Sequence, residues 1–221
     1  MKDGVTIAHG GCFFNLPAAF SAGDKKRSFS VNDGPSVCGV FWHNCPVVII
    51  TSRREDEING QVATTLVTSS IVHTVPRLLM GIWKRNHTHG FIMESRNLVV
   101  HLLRKDQIAL VRNFGFYSGR DKKKFIGLDH FEGRNGCPVL KGIHSYVECS
   151  VLNAMDGGDM TAFLVSVDYG EIMRGGEWMT LADFYSLAPE QWVIEYGQKL
   201  MESVSFSMPI IHKVSHEPFQ P

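Results

Sequence analysis

The stretch from Pro46 to Ser70 constrains the fold more than any other part of the chain. Pro46-Val47-Val48-Ile49-Ile50-Thr51 is a β-branched run bounded by proline and by the charged Arg53-Arg54-Glu55-Asp56-Glu57. It predicts a buried strand followed by an exposed turn. Asn59-Gly60 comes next, and because both residues tolerate positive φ the pair predicts a turn. Gln61 to Ser70, rich in Thr and Val, predicts a second strand.

Short units of the same kind continue downstream. Leu78 to Trp83 predicts a third strand, restarted by Pro76. Thr88 to Ser95 predicts a short helix, and Leu98 to Leu103 the strand after it. Asp106 is placed as the N-cap of a helix over Gln107 to Asn113, which buries Ile108 and Val111 and ends at Gly115. Further strands are predicted at Pro138 to Leu140, His144 to Leu152 and Thr161 to Tyr169. In the last, Phe163, Val165 and Val167 share one face by alternation. Leu181 to Tyr185 and Glu190 to Ser203 predict helices, and the tail from Met208 an extended segment.

Many short strands with few helices predict a mainly β fold with peripheral helices, a closed or nearly closed antiparallel barrel. Residues 1–40 read as an N-terminal arm packing on the barrel through Phe13, Phe14, Phe20 and Phe29. Residues 41–175 form the barrel domain, and 176–221 a helical extension and tail.

The chain has 221 residues, 44% of them hydrophobic, enough for a sizeable core. Lys plus Arg and Asp plus Glu both number 22, so the formal net charge is zero. That argues against nucleic-acid binding driven by bulk electrostatics. No apolar run reaches the ~18–20 residues of a membrane span, and the N-terminus lacks a continuous signal-peptide core. The five cysteines are scattered, with no Cys-x-x-Cys pair. This argues against a disulfide framework or a zinc site and for a reducing, cytoplasmic setting. Lys25-Lys26-Arg27 reads as solvated surface, and His9-Gly10-Gly11 lacks metal-ligand partners at the required spacing.

The chemistry concentrates between Asn59 and Thr88. Thr64, Thr65, Thr68 and Ser69 supply hydroxyls, and Lys84-Arg85-Asn86-His87-Thr88 closes the stretch with a basic cluster. Hydroxyls and backbone N–H groups near a cation suit a phosphate. Asn59 and Gln61 can hydrogen-bond the edge of a flat heterocycle. Together they point to a phosphorylated aromatic cofactor. The competing reading is a Thr-rich strand followed by a solvated turn.

The order of the motifs adds to this. Asn59-Gly60-x-x-Ala63-Thr64 is followed by Lys84-x-x-His87-Thr88-His89 and by Phe114-Gly115-Phe116-Tyr117-Ser118-Gly119-Arg120-Asp121-x-x-Lys124-Phe125. Gly136-Cys137-Pro138-Val139-Leu140, Tyr146-Val147-Glu148-Cys149 and Gly158-Asp159-x-Thr161 complete the set. In order and spacing it resembles the flavin reductase-like family of FMN-binding split barrels, from roughly Cys45 to Asp168.

The resemblance implies a split β-barrel that binds FMN without a covalent bond. Asn59, Gln61, Val62, Ala63, Thr64 and Thr65 would line the ring and ribityl chain. Thr68 and Ser69 would help hold the phosphate, with Lys84, His87 and Thr88 completing the grip. Arg120 and Phe125 would approach the ring from the glycine-centred loop, whereas Lys122 and Lys123 read as solvated. The absence of a Gly-x-Gly-x-x-Gly motif favours FMN over FAD. A homodimer is implied, with NADH, NADPH or a redox protein as electron donor. No acid–base pair is needed, because redox chemistry belongs to the flavin. One departure stands out: Met160 occupies the place of the family's His in Gly158-Asp159-Met160-Thr161, which puts nucleotide use in question. A non-catalytic FMN-binding barrel for storage or sensing, and a barrel without cofactor, are the alternative readings.

Overall fold

The computed structural model describes residues 45–217. In chain order the strands are β1 (Val48–Arg54), β2 (Glu57–Ala63), β3 (Leu66–Thr68), β4 (Arg77–Trp83), β5 (Asn97–Leu102), β6 (His130–Glu132), β7 (Pro138–Leu140), β8 (Ser145–Asp156) and β9 (Met160–Ile172). The helices are α1 (His87–Ser95), α2 (Ile108–Gly115), α3 (Leu181–Leu187) and α4 (Glu190–Ser207). Seven strands form one sheet in the order β2-β1-β5-β8-β9-β4-β3, and β6 pairs with β7 apart from it. Every pairing is antiparallel.

β2 and β3 lie at opposite edges of this sheet, yet only Thr64 and Thr65 separate them in sequence. So short a link curls the sheet round until its edges meet, and Gly81 N–H donates to the Thr65 carbonyl at 3.2 Å there. The result is the expected split barrel with peripheral helices.

Two cores follow from this curl. Inside the barrel, Val48 and Ile50 meet Met80, Ile82, Leu98, Val100, Phe163 and Val165, and Ile92 of α1 plugs the space. Outside, Val47, Ile49 and Val99 pack against Val111 and Phe114 of α2 and against Met179 and Phe184. Burial on both faces explains why β1 opens as an unbroken apolar run rather than an alternating one. The residues expected as a C-terminal extension thus share the outer core.

Several local expectations change. Asn59-Gly60 is not a turn: it lies within β2, and the chain turns at Glu55-Asp56, where Glu55 takes φ 50°. The glycine serves close approach instead, since a β-carbon on Gly60 would stand 2.8 Å from the Phe114 ring. Asp106 does not cap a helix. It lies inside a 3₁₀ turn (Lys105–Gln107) and pairs with Arg104 at 2.8 Å. The tail after Met208 begins as hydrogen-bonded turns, with Ile210 and Ile211 N–H both donating to the Ser207 carbonyl. The arm expected over residues 1–40, with its four phenylalanines, lies outside the described residues.

Candidate functional site

The β1–β2 register sets the site. Ile50 stands opposite Gln61 and Ser52 opposite Asn59. Since Ile50 faces the barrel interior, Asn59, Gln61 and Ala63 point inward by alternation. Val62 points outward, where its side chain approaches Gly115 at the end of α2.

α1 enters the mouth beside these amides. Asn59 Nδ2 donates to Thr88 Oγ1 at 3.3 Å, and both residues are buried. Gln61 is 6% exposed, and its Oε1 has no hydrogen-bond partner. An acceptor left so costs about 1–3 kcal/mol, so the site calls for a donor from outside the chain. His87 packs edge-on against Phe91, with centroids 5.0 Å apart.

The same corner is electropositive. Asn86 begins α1 without a side-chain cap, and the first turn holds no acid, so the leading N–H groups and the helix dipole are unopposed. Arg120 Nη1 donates to the Arg85 carbonyl at 3.0 Å, bringing the loop after α2 alongside. Burial first, then Arg120 and Arg54, holds the His87 pKa below its ordinary value, which keeps the imidazole neutral at pH 7.

Between Ser118 and Phe125 the chain folds over the amides. Gly119 lies against Asn59 so closely that a β-carbon would overlap its amide group. Lys124 is 5% exposed and donates from Nζ to the carbonyls of Gly60 at 2.8 Å and Phe114 at 3.0 Å. Burial, and secondarily Lys122, lowers its pKa to about 8, so it is charged at pH 7. Phe125 packs edge-to-face on Phe114 at 5.4 Å within the outer core.

Thr64 and Thr65 make the bend between β2 and β3. Thr65 Cγ2 and Met160 Cε each stand 3.1 Å from where a Gly81 β-carbon would lie, so the glycine leaves a shallow cradle walled by both. Thr68 and Ser69 are exposed and remote from the basic corner. Thr68 pairs with Leu78 and Ser69 N–H donates to the Arg77 carbonyl. Leu78 precedes Lys84 by six residues, about 20 Å of strand. Within one chain, therefore, Thr68 and Ser69 do not meet Lys84, His87 and Thr88 around one phosphate.

Lys84 is itself engaged. Its Nζ lies 2.5 Å from Asp156 Oδ1, which also accepts the Gly158 N–H at 2.7 Å. These bonds hold the Asp156 carboxyl below the usual carboxylate range. His89 turns inward, with Nε2 2.9 Å from Thr161 Oγ1.

Gly81 escapes the sequence reading: it matters as a close approach, and no local pattern marks it. Gly119 and Lys124 stand within the ordered motifs, but their roles do not follow from them. Gly119 admits the Asn59 amide, and Lys124 is buried where Lys122 and Lys123 are exposed.

Comparison with known proteins bears on this arrangement. A family model described as "Flavin reductase like domain" matches residues 43–184. A high molecular weight rubredoxin of Moorella thermoacetica is 33% identical over 63% of this chain, and the match spans 61% of that protein. A ferric-chelate reductase (NAD(P)H) of Archaeoglobus fulgidus is 28% identical over 62% of this chain and 81% of its own. The solved structure of an NADH:FAD oxidoreductase from Streptomyces globisporus superposes with a TM-score of 0.60 at 21% identity, over 72% of this chain and 98% of that one. The chain thus spans only about three fifths of the Moorella protein's length.

Proposed function

The chain belongs to the flavin reductase like family, and from that premise we propose that it is a flavin oxidoreductase that binds FMN and cycles it between oxidised and reduced forms. The observation that carries this reading is the buried Gln61 oxygen without a donor, set beside an uncapped, cation-rich helix start. A flat heterocycle with a ring N–H satisfies the first, and a terminal phosphate the second.

The bound flavin supplies the hydride and electron chemistry. The chain's own residues bind and orient it. Gln61 Oε1 accepts from the ring and fixes its edge at the mouth, with Asn59 held beside it by Thr88. Lys84, Arg120 and the leading N–H groups of α1 hold the phosphate, with His87 as a neutral neighbour. Ala63, Thr64 and Thr65 flank the ring and ribityl chain at the bend, and Val62, whose side chain packs outward on Gly115, takes part through its backbone. Thr68 and Ser69, too far to join that grip within one chain, fit it only from a second subunit.

A homodimer is part of the same proposal, and the outer face of the sheet supports it. Val67 pairs with Leu79 and Leu79 with Leu164, and Met155 pairs with Ala162 in the adjoining row. Val67 is 58% and Met155 65% exposed, so an apolar face stands open beside the Met160 cradle, and a second copy covers it. No helix among the described residues is long and apolar enough to cross a membrane. The buried thiols Cys137 and Cys149 suit a reducing, cytoplasmic setting.

Met160 favours a carrier fed by a redox protein as the second reading, over direct reduction by NADH or NADPH. The test is spectroscopic. The purified protein carries flavin absorbance, releases FMN on denaturation, and bleaches with dithionite. Protein reconstituted with excess FMN that stays colourless after gel filtration contradicts the reading. Light scattering of the loaded protein reports the dimer, and a loaded monomer counts against it.

A further inference from the structure

Beyond residue 184, where the family match ends, the chain returns to the basic corner. Trp83 Nε1 donates to Ser207 Oγ at the end of α4, at 3.0 Å. Phe206 meets the Trp83 ring edge-on at 5.7 Å and lies 4.6 Å from the Arg85 guanidinium. The turns that follow press the Ile210 and Ile211 carbonyls against Gly158, whose φ is 87° and which has no room for a β-carbon. The Ser215 backbone then comes near the Asp156 carboxylate, the partner of Lys84, and helps hold that carboxyl below the usual range. A hydrogen bond, a ring contact, a cation–π contact and a backbone close approach thus fasten one short segment across two turns, β4–α1 and β8–β9.

We propose that this strap, residues 206–215, is a specificity element that restricts the site to a flavin mononucleotide and excludes the dinucleotide. The inference rests on the FMN reading above. A terminal phosphate held by Lys84 and the start of α1 needs no space beyond its own oxygens. A pyrophosphate carries a second phosphate and an adenosine onward. On the strap side of Lys84 that room is filled by Asp156, by its Gly158 donor and by the Phe206–Arg85 contact. On the other side stands the Ser118–Phe125 loop, with Arg120 bonded to Arg85. The Asp156 carboxylate, held ionised by its donors, adds repulsion against a second phosphate. Admitting the dinucleotide therefore means lifting the strap and losing its contacts together.

The experiment is a fluorescence titration of the full chain with FMN and with FAD, read as the ratio of the two dissociation constants. Wild type binds FMN at least about tenfold more tightly. A chain ending at Ser205 lacks the strap. Gly158→Ala displaces it through the β-carbon, and Phe206→Ala removes its contact with Arg85 without altering the backbone. Each variant gains FAD affinity, by about tenfold in the truncated chain, while FMN affinity changes less than twofold. Circular dichroism identifies the variants that fold, and Phe206→Ala stands as the test where the other two do not. A ratio that is unchanged in the folded variants, or a wild type that takes FAD as tightly as FMN, overturns the strap's role and leaves flavin binding standing. Failure of wild type to bind either flavin overturns the FMN reading itself, and the strap's role with it.

Discussion

Lys124 Nζ lies 2.8 Å from the Gly60 carbonyl oxygen, so a buried cation holds the backbone link between Asn59 and Gln61. Its second acceptor, the Phe114 carbonyl, belongs to the last turn of α2, where the helix dipole is negative. Two charge-assisted bonds oppose the desolvation of the ammonium. Lys124→Met fills the same volume but removes both donors. Stability is expected to fall by only about 1–2 kcal/mol, because relief of desolvation offsets part of the loss. Flavin affinity is expected to fall about tenfold, as the two amides lose their register. Chemical denaturation and flavin titration separate these effects, and an unchanged flavin affinity in a folded variant removes Lys124 from the support of the site.

His101 is fully buried, with Nδ1 3.0 Å from the Ile49 carbonyl and Nε2 accepting the Leu140 N–H at 3.1 Å. That pairing fixes the neutral tautomer with its proton on Nδ1. A second proton on Nε2 would face the Leu140 N–H. Burial accordingly lowers its pKa to about 4. The unfolded chain binds this proton below about pH 6.5, whereas the native chain binds it only near pH 4. The stabilising contribution is therefore intact above pH 6.5 and is lost as pH falls toward 4, by up to about 3 kcal/mol. NMR of the native protein is expected to show no His101 titration between pH 7 and 5. A midpoint near 6.5 refutes the assignment.

How far the sequence carried depended on the range of the interaction. Elements set by local pattern are the most legible: α1 agrees within a residue, whereas β1 is found but runs three residues further, taking in Arg53 and Arg54, whose charge reads as an exposed turn. The seam at Thr64-Thr65 is not legible, because it depends on β2 and β3 occupying opposite edges of one sheet. Asn59-Gly60 misleads for a related reason: the pair suits a turn, but Gly60 is required by Phe114, over fifty residues away in sequence. In the candidate site, both Asn59 and Thr88 are legible as candidates, but their direct contact comes from how α1 enters the barrel mouth and has no local signal. The separation of Thr68 from Lys84 emerges only from the β3–β4 register. The contact of the C-terminal strap with Gly158 has no local signal at all.

Lys84→Ala tests the phosphate grip. Lys84 is partly exposed and paired with Asp156, so the substitution removes one charge and leaves the carboxylate unopposed. FMN is expected to weaken by about 1–3 kcal/mol, as for loss of a charge-assisted bond. Riboflavin, which lacks the phosphate, should change far less. Parallel titrations with the two ligands decide the matter, and equal losses take Lys84 out of the grip.

Met160 gives the final prediction. It lies opposite Trp83 on the outer face of β9 and walls the Gly81 cradle with Thr65. Among the described residues, the three histidines nearest the motifs are engaged elsewhere. His89 bonds Thr161, the next residue along β9, from inside the barrel, where it also packs on Phe163. His144 is bonded to Ser145 and Gly176, at the opposite end of β8. His87 packs on Phe91 at the start of α1. A thioether can pack on a flavin ring through its polarizable sulfur, but it donates no hydrogen bond and takes no proton. Stopped-flow reduction of the FMN-loaded protein by NADH or NADPH is therefore expected to be slow, while dithionite reduces it fully. Met160→His is expected to accelerate nucleotide reduction about tenfold or more, each factor of ten corresponding to about 1.4 kcal/mol at the transition state. FMN dissociation should change little. Rapid turnover of the wild-type protein with either nucleotide defeats the prediction and favours direct reduction by NADH or NADPH over a protein donor.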